Sequence, residues 1–186
     1  MSNLKKIIKT ILIIIVCCIL IFFISSTIRS FRVESSHKEI VTENFTIFYS
    51  GILASEAEII SNTLESNYGR IRTDLKDPEH SKILVYVHPT QSEFNKATGL
   101  SNSNANGTSR GPWAFHLKYE TWFNSIFPKD MGKVALHEFT HCVQLNILIH
   151  EEAKLNPIAN DTQFEKDFEK KFKKYPQWFW EAICDY

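Results

Sequence analysis

The chain has 186 residues, enough for one ordinary domain plus an anchor, with 44% hydrophobic and 13% aromatic residues. Twenty-one Lys and Arg balance 21 Asp and Glu. This balance gives no reason to expect nucleic acid as a partner.

The N-terminal segment is the most biased. Lys5, Lys6 and Lys9 precede an uninterrupted apolar run from Ile11 to Ile24, and Ile7 to Ile28 carries only Lys9 as a charge. About 20 apolar residues cross a hydrocarbon core, so residues 1–29 read as a membrane anchor or signal segment. A basic start also suits a cleaved signal peptide, but Ser25, Ser26 and Thr27 make a poor cleavage site. The expected location is the cell membrane, single-pass, with the domain extracytoplasmic. Secretion after signal cleavage is the alternative. Cys17 and Cys18 lie within the apolar run. Cys142 and Cys184 do not make a disulfide framework and are read as two buried thiols, with a single bridge as the alternative.

Residues 30–38 read as a polar linker, and residues 39–186 as one domain. Phe45, Ile47 and Tyr49 alternate with Thr46 and Phe48, which predicts a strand ended by Ser50-Gly51. Ile60, Leu64, Tyr68, Ile71 and Leu75 recur at helical spacing and predict a helix over about 54–75, stopped by Asp77-Pro78. Lys82 to His88 is apolar on both faces and predicts a central strand. Thr90 with Glu93 is a capping box for a short helix, and Gly99 closes it. Residues 101–107 are polar and read as a loop. Trp113 to Tyr119 alternates and predicts a strand with one buried face, leaving His116 on its solvated side.

A long helix is expected over about 131–149, with Val134, His137, Glu138, His141, Leu145 and Leu148 on one face. Thr162 with Glu165 caps a further helix whose Phe164, Phe168 and Phe172 form a packing stripe. Pro176 opens the last helix, QWFWEAICDY.

The chemistry rests on the long helix. His137-Glu138-Phe139-Thr140-His141 is an HExxH motif. Residues four apart lie about 40° apart around a helix, so both imidazoles reach one metal, with Glu138 beside a metal-bound water. A metzincin requires histidine ten residues after His137, where this chain has Ile147. The acidic candidates for a third ligand are Glu151, Glu152, Asp161 and Glu181. The first two lie too near the end of the same helix to fold back, and Asp161 sits in a polar loop. Glu181 lies beside Trp178-Phe179-Trp180, where a carboxylate needs a partner, and is preferred.

HEFTH together with PQWFWEAICDY resembles the gluzincin (HExxH…E) zinc metallopeptidases, in particular the bacterial peptidase MA-like group. The resemblance implies an α+β fold: a small sheet with helices on one side and a zincin-type active-site helix, preceded by one N-terminal transmembrane helix. It implies Zn2+ held by His137, His141 and Glu181, with Asp185 orienting His137 from one turn beyond. The implied activity is hydrolysis of a peptide or protein substrate by metal-activated water, with Glu138 as general base. The Trp113–Tyr119 strand is similar in position to the antiparallel edge strand that binds substrate backbone in that family. Members also carry an oxyanion-stabilising Tyr or His beyond the glutamate helix. The sequence ends five residues after Glu181, so an incomplete domain is expected. The alternative function is an inactive zinc-binding or interaction module on a membrane anchor.

Overall fold

The computed structural model describes residues 2–31, 37–78, 81–101, 104–155, 170 and 172–184. The expected 162–172 helix and Asp185 fall largely or wholly outside these residues. Helix α1 (Ser2–Phe31) is followed by strands β1 (Lys38–Val41) and β2 (Phe45–Tyr49), helix α2 (Ala54–Leu75), β3 (Ile83–His88) and α3 (Gln91–Thr98). Then come β4 (Gly107–Ser109), β5 (Ala114–Lys118), α4 (Thr121–Ile126), α5 (Met131–Leu155) and α6 (Gln177–Cys184). The fold is α+β, with a small open mixed sheet.

The sheet order is β1-β2-β3-β5-β4. β2, β3 and β5 run parallel, and β1 and β4 pair antiparallel at the two edges. β3 is central, as its two apolar faces predicted. β1, β4 and α4 were not foreseen. β1 and β4 are four and three residues long, too short to show a period of two. One expectation is corrected: β5 is an interior strand parallel to β3, and the antiparallel edge is β4. The alternation of Trp113–Tyr119 reports a half-buried strand but not its place in the sheet.

Phe45, Ile47, Ile83, Val85, Phe115 and Leu117 are fully or nearly fully buried on one face, under α2 and α5. α2 turns Ala57, Ile60, Leu64 and Ile71 into this core. Its C-terminal end is tied to α5 by Asp77, whose buried carboxylate accepts from Arg72 Nε (2.7 Å) and Asn146 Nδ2 (2.8 Å). Full pairing makes this buried charge tolerable. α3 lies over the opposite face, so helices are not confined to one side. Its Phe94 ring meets His88, and its Gln91 Oε1 accepts from the buried Lys118 Nζ at 2.7 Å. The predicted N-cap forms: Thr90 Oγ1 accepts from Glu93 N and itself meets Glu93 Oε1 at 3.2 Å, and Gly99 closes the helix at φ 69°.

His116, expected in solvent, is half-buried on this second face. Its Nδ1 lies 2.9 Å from His88 Nε2, and its ring stacks on Tyr86. Burial, helped by His88 and Arg110, pushes His116 down to about 4. One neutral imidazole therefore donates and the other accepts.

α1 contains an 18-residue stretch, Ile7–Ile24, long and apolar enough to cross a membrane, and none of it is buried in the protein. This is consistent with membrane anchoring.

Candidate metal centre

The roll of α5 about its axis is set by Phe139. This ring is fully buried, 5.2 Å from Phe45 at 84° and stacked on Tyr68 at 5.6 Å. Each residue advances about 100° around a helix, so positions two before and two after Phe139 point about 160° away from it. Those positions are His137 and His141. Seating Phe139 in the core therefore turns both imidazoles outward. The core stripe of α5 is Met131, Ala135, Phe139, Cys142 and Val143, not the histidine face expected from the sequence.

The histidines open onto a cleft of about 1410 Å³. Residues of β4 and α6 line it, as do Arg70 and Asp74 of α2. Gly107 on β4 is required by close approach: a Cβ there would fall 2.6 Å from Glu138 Cγ and Oε1. Ser109 Oγ lies 2.9 Å from the Glu138 carbonyl oxygen and 3.0 Å from Oε2, and donates to this pair. The Glu138 carboxyl is thus held against β4. Burial pushes it up to about 7 despite the Ser109 hydrogen bond, and the charge of Glu181 adds to the rise.

α6 brings Glu181 and Cys184, three residues apart and so on one face, up to α5. Among the described residues, His137, His141 and Cys184 offer ligand atoms that all lie within 4.8 Å of one another. Two imidazoles and a thiol in one partly buried place form a zinc-binding donor set. Burial lowers His141, which keeps its ring neutral and able to ligate.

The two rings of α5 meet α6 on different sides. On one side, His141 Nδ1 lies 2.9 Å from Gln144 Oε1 and 3.3 Å from Cys184 Sγ. On the other, Glu181 Oε2 lies 3.1 Å from His137 Nε2 and 3.7 Å from His141 Nε2. Gln144 also donates from Nε2 to the Trp180 carbonyl at 3.0 Å, which sets the height of α6 along α5.

The sequence singles out His137, Glu138, His141 and Glu181, which the structure brings to one cleft, and does not single out Cys184, Gln144 or Ser109 as site residues. The sequence alone suggests a buried thiol at Cys184. Neither domain thiol is in a disulfide; Cys142 is buried and Cys184 only half-buried. Burial also pushes the Cys142 thiol up, which keeps it protonated. The available signal for Cys184 was its spacing of three from Glu181 on a short helix. Asp185 lies outside the described residues.

Comparison of the chain with protein families, with curated proteins and with solved structures found no match. The donor cluster corrects the gluzincin resemblance. The metal-competent cluster is His137, His141 and Cys184, a His/His/Cys set and not the HExxH…Glu set that defines that group. The physical reason is the short helix α6. Placing Glu181 next to the imidazoles carries Cys184, one turn along the same face, to His141 as well.

Proposed function

We propose that the chain is a membrane-anchored zinc-binding module in which the ion fastens α6 to α5. The observation that carries this reading is the donor cluster itself, drawn from both helices: two imidazoles from α5 and one thiol from α6. α6 contains no buried residue, so it has little hydrophobic hold of its own. In such a segment, metal-binding free energy becomes folding free energy.

In this reading Cys184 is the third donor. Glu181 then accepts from the ring nitrogens that face it, as an outer carboxylate that orients imidazoles. The converse assignment makes Glu181 the ligand and leaves Cys184 and Gln144 on His141 Nδ1. The two assignments are separable. The full chain is loaded with Co2+ or Zn2+ as wild type, Cys184→Ser and Glu181→Gln. The thiolate reading predicts an intense near-ultraviolet sulfur-to-cobalt band that Cys184→Ser abolishes, with zinc affinity falling at least ~10-fold. Glu181→Gln retains the band, with affinity lowered about 10–100-fold. Zinc binding unaffected by Cys184→Ser but lost in Glu181→Gln would reject it.

A second reading is a metal-dependent hydrolase acting on a peptide, with Glu138 as general base. It is favoured by the cleft that runs past the donors and by a carboxyl whose proton is exchangeable near neutral pH. It ranks below the first because Ser109 and Gly107 hold that carboxyl against β4, an arrangement that also serves packing alone. Turnover of a peptide library by the zinc-loaded chain, lost in Glu138→Gln with zinc retained, would raise it above the first.

A further inference from the structure

The apolar helix α1, strand β1 and one short helix converge on a single end of the domain. Lys38 pairs with Tyr49, at the C-terminal end of β2. Because β2, β3 and β5 run parallel, that end is also where His88 and Lys118 finish their strands. α4 begins three residues later and is clamped there: Thr121 Oγ1 donates to the Gly51 carbonyl at 2.6 Å, and Thr121 N to the Pro89 carbonyl at 3.2 Å. Seven steps of chain separate Phe31, the last residue of α1, from Lys38, a reach of at most about 25 Å. α1 packs against α4, yet its Ile7–Ile24 stretch remains wholly uncovered. α4 therefore meets α1 without shielding the part that lipid would surround.

The segment at this end reads Thr121-Trp122-Phe123-Asn124-Ser125-Ile126-Phe127, richly aromatic for a connection between a strand and a helix. Asn124 faces inward, 5% exposed, and donates from Nδ2 to the Tyr119 carbonyl. Phe127, by contrast, leaves 61% of its surface open. An exposed phenylalanine beside a membrane span is in the setting where apolar rings enter the acyl–headgroup boundary.

We propose that α4 and Phe127 rest in the headgroup layer of the bilayer that α1 spans, so that the domain stands on the membrane in one orientation. The partner is a phospholipid surface. The inference rests on α1 as the membrane span, not on the identity of the metal ligands. α5 starts four residues after Phe127, and His137 lies six residues further, about 9 Å along the helix axis from Met131. The His137, His141 and Cys184 cluster is thereby held close to the membrane-facing end.

The test is lipid photocrosslinking of the full chain in phosphatidylcholine nanodiscs. p-Benzoylphenylalanine replaces Phe127 in one protein and Trp113 in another. Trp113 is also exposed (54%) but precedes β5, at the opposite end of the sheet. Circular dichroism and a cooperative urea transition confirm that both proteins are folded. The proposal expects a lipid-mass adduct on the tryptic peptide 119–129 and none above background on peptide 111–118. No adduct at position 127, or equal yields at both positions, overturns it. A chain that does not enter nanodiscs refutes the membrane span itself and the proposal with it, whatever its zinc content.

Discussion

Replacing Glu138 with Gln tests a buried carboxyl that its surroundings keep from ionising. The carboxyl is buried against Gly107, with one hydrogen bond from Ser109, and its pKa stands at about 7 against an ordinary 4.5. That difference corresponds to about 3 kcal/mol of folding stability. Its sign follows from proton binding. Below pH 4.5 the carboxyl is protonated in both folded and unfolded chains and costs nothing. Between 4.5 and 7 the unfolded chain ionises while the folded chain keeps its proton, so stability is lost as pH rises. Above 7 the full cost of burying the charge is present. Gln keeps the shape and an acceptor for Ser109 but adds two N–H donors, which offsets part of the gain. The expected result is that Glu138→Gln stabilises the metal-free chain by about 1–3 kcal/mol at pH 8 and leaves it unchanged near pH 4.5. The assay is urea unfolding of the full chain in detergent with a chelator present, followed by tryptophan fluorescence across this range. A difference that does not vary with pH, or a variant less stable at pH 8, would refute the reasoning.

The His88–His116 pair acts in the opposite direction. Both groups are lowered, chiefly by burial, His116 to about 4. Their contribution is present above about pH 6.5 and is lost as pH falls toward 4. His116→Asn should unfold less steeply with acid over that window, and an unchanged slope would count against the pair. Phe139→Ala removes the ring that seats α5 between Phe45 and Tyr68. It should cost about 3–5 kcal/mol in denaturant unfolding. Zinc affinity should fall with it, because the same ring sets the direction of both imidazoles; retained affinity in the folded fraction would show that the histidines are aimed by other contacts.

Much of this protein was legible in its residues because the relevant signals are local. The Ile60–Leu64–Tyr68–Ile71 stripe, the Thr90/Glu93 capping box and the apolar run before Ile24 each state their own conformation within a few turns of chain. So does the HExxH spacing, since a helix alone puts His137 and His141 on one face. Tertiary packing decided the rest. Which face of α5 is buried depends on Phe139 finding Phe45 and Tyr68, 94 and 71 positions away in the chain. Which acid or thiol completes the donor set depends on how Gln144 seats the Trp180 carbonyl, a contact across 36 residues that brings Glu181 and Cys184 up together. Periodicity reports what a segment does against water; it carries no record of the distant side chain that will meet it.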